Sequence, residues 1–115
     1  MSEKTIFSKI IEREIPADIV YETDTLIAFH DINPQAPVHI LIVPKKPIPK
    51  ISELSDDDAP LMGEMMLAAR TIAQQEGLVD DGFRLVINTG PNANQTVLHV
   101  HMHLLGGRSM AWPPG

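Results

Sequence analysis

Residues 98–105, LHVHMHLL, alternate apolar side chains with imidazoles. In an extended strand a period of two gives unlike faces, with Leu98, Val100, Met102 and Leu104 on one side and His99, His101 and His103 on the other. The apolar set requires a core to cover it, so the run predicts a strand of a sheet. Its imidazoles then stand in a row, roughly 6.7 Å apart along the strand. Only two other histidines occur in the chain, His30 and His39.

The remaining patterning supplies the partners for that strand. TIFSKIIEREIP has apolar residues at helical spacing from Ile6 to Ile15, with Thr5 placed to cap its start and Pro16 to end it. IVYET, LIAFHD and VHILIVP predict three strands of a meander, the last two separated by the turn-forming NPQAP. From Leu61 to Glu76 the period is helical again: Leu61, Met62, Met65, Met66, Ala68, Ala69, Ile72 and Ala73 span an arc of about 160°. Ser55 and the aspartates 56–58 supply capping oxygens near its start. Gly63 and Leu67, one turn apart on the polar flank, fit two readings equally: a place where a partner subunit approaches, or a tolerated glycine beside a stray leucine. FRLVIN and LHVHMHLL complete five strands, joined by the loop TGPNANQTV. The order α-β-β-β-α-β-β predicts an α+β fold, a mostly antiparallel sheet with its two helices on one face, in a single domain.

Composition narrows the chemistry. Without cysteine in its 115 residues, the chain has no disulfide, no thiolate metal site and no cysteine nucleophile. A net charge of −6 opposes general nucleic-acid binding, and the densest basic group, Lys45, Lys46 and Lys50, reads as a solvated loop among prolines. No apolar stretch approaches the roughly twenty residues that span a bilayer, and MSEKTIFSK lacks the apolar run of a secretion signal. The expectation is a cytoplasmic protein with no membrane partner.

Three roles fit a row of strand histidines. One is a polar sheet face, although LHVHMHLL lacks the Lys, Glu and Thr usual on such a face. A second is zinc, held by the middle and an outer histidine with His39, but the strand offers no further ligand. The third is nucleophilic attack at phosphorus by the middle imidazole, its neighbours orienting it and binding phosphate oxygens. Imidazole suits this role because its ordinary pKa of about 6.5 leaves a neutral nucleophilic nitrogen at pH 7. The loop NANQTV brings amides, the Thr96 hydroxyl and free backbone N–H groups to the start of the row, a setting for an anion.

HVHMHLL also resembles the signature of the histidine triad family, His-φ-His-φ-His-φ-φ with φ apolar. FHDINPQAPVHILIVPKK, Asn88, the loop before the triad and the terminal GGRSMAWPPG are similar to the histidine triad nucleotide-binding branch, nearly end to end. The resemblance implies one histidine triad domain over residues 1–115, and hydrolysis of purine nucleoside 5'-phosphoramidates through a nucleotidyl-histidine intermediate, with no cofactor or metal required. His101 is then the nucleophile, His99 its orienting neighbour, and His103 and Thr96 the groups on the phosphate and the leaving amine. Asn88, Asn94 and Gln95 approach the phosphate, Asp31 with Ile32 the ribose, and Ile6, Phe7, Ile10 and Leu41 the purine. His39 stands behind the row as a partner, while His30 is structural. The resemblance further implies a homodimer in which Trp112 reaches toward the partner subunit's site.

The chain departs from the family pattern twice, with Asn94 in place of glycine and Thr96 in place of serine. Asparagine is the least costly substitute where φ is positive, and threonine keeps the hydroxyl, so slower turnover or a changed leaving-group preference is expected. Two rivals remain at the level of sequence: a nucleotide sensor or scaffold without turnover, and a sister branch that splits dinucleoside polyphosphates.

Overall fold

Thr5 caps the first helix with its hydroxyl oxygen, which accepts the Ser8 N–H at 3.1 Å, and α1 runs Ile6–Ile11. The structure, a computed structural model, describes residues 4–115, so the first three residues of the expected domain lie outside it. Helix α1 ends before Pro16, because Arg13 turns the chain through a left-handed φ of 63°.

Strands β1 (Ile19–Glu22), β2 (Leu26–His30) and β3 (Val38–Pro44) form the expected meander. Ser55 and Asp58 make a reciprocal capping box that leads into α2, Ala59–Gln75. Lys46 pairs with the same Asp58 carboxylate and Lys45 with Glu22, which accounts for two of the three loop lysines. After α2 come β4 (Phe83–Val86) and β5 (Met102–Gly106). Every ladder is antiparallel and the spatial order is β1-β2-β3-β5-β4, so β5 lies between β3 and β4.

The helices cover opposite faces of the sheet, not the same one as the element order suggested. Met65, Ala68, Ala69, Ile72 and Ala73 of α2 pack on Leu26, Ala28, Ile40, Ile42, Met102 and Leu104. The alternate set, Ile27, Phe29, Leu41 and Val43, packs on Phe7 and Ile10 of α1. Strands β2 and β3 are apolar on both sides because each side meets a helix. Met66, expected in the buried arc of α2, is 54% exposed. It stands at the margin of that arc, on the flank of the helix. A side chain at Gly63 would meet nothing within 4 Å in this chain.

The histidine segment joins the ladder later than its alternation suggests. Pairing with β3 begins at Met102, and Leu98, placed by pattern in the core, is 63% exposed. The cause lies in where the backbone bonds go. The His99 N–H bends back to the Val97 carbonyl, and the Val100 N–H bonds Ile48 in the loop after β3. Alternation survives beyond the bend: Val100, Met102 and Leu104 enter the α2 core, and the imidazoles face α1.

Candidate active site

On the α1 face, a cavity of about 480 Å³ opens between the helix and the sheet. Ile6, Phe7, Ile10 and Leu41 line it as expected, with Asp31, Ile32, Thr96, His101 and His103 at its polar part. Phe29 and His30 also line it, as do Ile15, Pro16, Ala17 and Val97. Phe29 was legible in principle, because it pairs across the ladder with Leu41. His30, read as structural, instead borders the cavity.

Other expected residues stand outside the cavity wall. His99 and His39 are buried behind it. Asn88 is partly buried beyond the end of β4 and does not reach the lining. Asn94 is exposed in the left-handed region, φ 61°, the conformation that favours glycine or asparagine. Gln95 is turned inward: its amide donates to the carbonyls of Pro49 (2.8 Å) and Val97 (3.0 Å) and accepts from the Gly90 N–H (2.9 Å). That side chain holds the loop which carries Thr96 and is not directed at the cavity. Trp112 is 83% exposed, away from the cavity of its own chain.

The histidines differ in their hydrogen bonds, and the bonds fix their protons. His101 is 5% exposed, and its Nδ1–H donates to the His99 carbonyl at 2.7 Å. A neutral imidazole has one N–H, so Nε2 of His101 bears a free lone pair. Phe7 stands edge-on against this ring, with centroids 4.9 Å apart, and limits its rotation. His99 is held by its own Nε2–H, which donates to the Pro44 carbonyl at 2.7 Å. His99 thus orients His101 through its backbone oxygen, while its Nδ1 is buried without a partner.

His103 takes its proton position from His39. The Gln35 N–H donates to His39 Nδ1 at 3.0 Å, which requires the His39 proton on Nε2. That Nε2–H donates to His103 Nδ1 at 2.9 Å, so neutral His103 carries its own proton on Nε2. One cavity-lining histidine offers a lone pair and the other an N–H. Asp31 lies beside them, with Oδ2 3.5 Å from His39 Nε2 and Oδ1 accepting the Asn33 N–H at 2.8 Å.

Burial lowers the pKa of His39, His99 and His101. Burial, with His101 and His39 nearby, pushes His103 down to about 4. These rings are neutral at pH 7. The unfolded chain binds more protons than the folded one below pH 6.5, so this contribution to stability is complete above that pH and is lost as pH falls toward about 4. The urea midpoint is therefore expected to fall between pH 7 and pH 5, and His103→Asn to flatten the dependence; a variant with the wild-type slope contradicts the assignment.

Asp31, His39 and His103 place one ligand atom each within 4.8 Å of one another, close enough for a cation. The proton pattern opposes it. A metal on His39 Nε2 moves the imidazole proton to Nδ1, where it meets the Gln35 N–H head-on.

The HIT domain family matches residues 12–110. Over 110 residues, 96% of this chain and 92% of its relative, the sequence is 54% identical to the purine nucleoside phosphoramidase of Escherichia coli K12. It is 61% identical over the full length of both chains to an uncharacterised HIT-like protein of Synechococcus elongatus. A HIT family hydrolase from Legionella pneumophila superposes with a TM-score of 0.96 at 49% identity, covering 97% of this chain and all of that one. A histidine triad nucleotide-binding protein from Candida albicans does so at 0.81 and 31%, covering 96% and 83%. With a matching fold, an intact triad and these relatives, the chain belongs to the histidine triad (HIT) family.

Proposed function

We propose that the protein is a purine nucleoside phosphoramidase, which hydrolyses the P–N bond of a nucleoside 5'-phosphoramidate to the nucleoside monophosphate and an amine. One observation carries this reading: His101 donates its only proton to the His99 carbonyl and keeps an Nε2 lone pair at the cavity. The base lies between Phe7, Ile10 and Leu41, and Asp31 receives the ribose hydroxyls. His101 Nε2 attacks the α-phosphorus and the P–N bond breaks. The departing amine gains a proton, which the N–H of His103 and the hydroxyl of Thr96 help to deliver. Water then attacks the nucleotidyl-histidine, releases the monophosphate and returns the lone pair to His101. No step requires a metal or cofactor. In this reading residues 4–115 make one histidine triad domain, and the protein acts in the cytoplasm without nucleic-acid or membrane partners.

A homodimer fits the outer surface. β4 is a sheet edge, Phe83 and the α2 residues Met66 and Leu67 are exposed apolar side chains, and Trp112 is free to reach a second copy. A scattering mass equal to the monomer refutes the dimer. Adenosine 5'-phosphoramidate and diadenosine tetraphosphate supplied separately test the activity. AMP from the first, with adenylate trapped on His101 after alkaline quench, supports the reading. Nucleotide binding without product, or cleavage of the second alone, overturns it.

A further inference from the structure

The tautomer of His103 depends on Gln35, and Gln35 is held from a distant part of the chain. Residues 31–37, DINPQAP, form a turn between β2 and β3 that contains two prolines. Within it Asn33 N–H bonds Asp31 Oδ1 at 2.8 Å, and the Gln35 side-chain amide bonds the Asn33 carbonyl at 3.0 Å. Among the described residues, one side chain from outside residues 31–39 hydrogen-bonds Gln35: Arg108, whose Nε–H donates to its carbonyl at 3.1 Å. Gly107 makes this approach possible. Its φ is 88°, and a Cβ there would stand 2.9 Å from Pro37 Cβ, so the chain can fold back against the turn only with glycine at this position. A second Arg108 bond, from a terminal guanidinium nitrogen to the Ser109 carbonyl at 3.0 Å, fixes the side chain in that direction.

We propose that Arg108 is a positioning residue for the reaction, holding the Gln35 carbonyl so that the Gln35 N–H, one peptide unit earlier, stays on His39 Nδ1 and His39 and, through it, His103 keep a single proton arrangement. The proposal rests on the phosphoramidase reading. The imidazole pair has two self-consistent arrangements. Either His39 Nε2–H donates to His103 Nδ1, or His103 Nδ1–H donates to His39 Nε2. In the second, His103 presents a lone pair to the cavity and no donor to the leaving amine. What excludes it is the Gln35 N–H, which would face a second N–H on His39 Nδ1. Thus a side chain on the surface, with no part in the cavity lining, selects which atom of His103 carries hydrogen.

Arg108→Met tests this, with Arg108→Lys as the conservative variant. A further control is Arg84→Met, since Arg84 holds the same tail at the Ala111 carbonyl, 2.9 Å, without touching Gln35. Loss of one such bond is expected to lower kcat about tenfold for Arg108→Met, with KM changed by less than about twofold. The groups that face His103 are His101, His39 and Asp31. With the His39 donor no longer fixed, protonated His103 gains an acceptor, so the pH at which His103 titrates in the free protein, followed by its 15N shifts, moves toward neutral. In the free protein, the two ring nitrogens of His103 should give well-separated 15N shifts that converge in Arg108→Met, are partly restored in Arg108→Lys and are unchanged in Arg84→Met. Unaltered kinetics and shifts in Arg108→Met, whatever happens to its Tm, overturn the proposal and leave Arg108 as a brace for the tail. If the wild type binds AMP but does not turn over the phosphoramidate, the functional reading fails, and the 15N shifts of the free protein decide this proposal alone.

Discussion

His101→Ala is expected to lose phosphoramidate hydrolysis by about ten-thousand-fold or more while retaining affinity for AMP. Of the cavity walls, Phe7 loses its edge contact with this imidazole but keeps the one with Phe29, and Ile10, Phe29 and Leu41 belong to the same core between α1 and the sheet, so the cavity is retained. The change removes the lone pair that the His99 carbonyl leaves exposed, and no neighbour replaces it. His99 is directed at Pro44, and His103 Nδ1 already accepts from His39. Product formation by chromatography and AMP binding by calorimetry, on the same preparation, check the expectation. Residual turnover within a factor of ten of wild type would place the nucleophile elsewhere.

Leu104→Ala is expected to cost about 3 kcal/mol of stability, and to lower Tm by roughly 10 °C, because a fully buried leucine leaves a cavity that a close-packed interior does not refill. Leu104 has no exposed surface and stands between Ile40 of β3 and Leu85 of β4 in register. Urea unfolding gives the free energy directly. A loss below about 1 kcal/mol contradicts its place in the α2 core. Below the transition, turnover should persist, since His103 one residue earlier faces the opposite side of the sheet.

Much of this was legible in the chain because period and side-chain chemistry coincide. Thr5, the Ser55–Asp58 box and the alternation through His103 are local signals, and each is present in the structure. The side of the sheet on which a helix packs is a different kind of property. Leu26, Ile27, Ala28 and Phe29 are all apolar, so β2 shows no preference between faces, and only the tertiary arrangement sends α1 and α2 to opposite ones. The late start of β5 was hidden for a related reason. Alternation continues through a bend whose bonds go to Pro44 and Ile48, more than fifty residues away in sequence for both. Gln95 shows the same limit, since an amide near a phosphate site and an amide that pins a loop are the same residue until its partners are known.

The insertion of β5 between β3 and β4 bears on synthesis. Of the five strands β5 is synthesised last, yet it lies inside the finished sheet, between β3 and the edge strand β4. Until it emerges, the nascent chain has β3 and β4 unjoined, two open edges that invite association with other chains. His103 travels on that same strand, so the complete histidine row and closure of the sheet arrive together, and a chain interrupted before Met102 has neither.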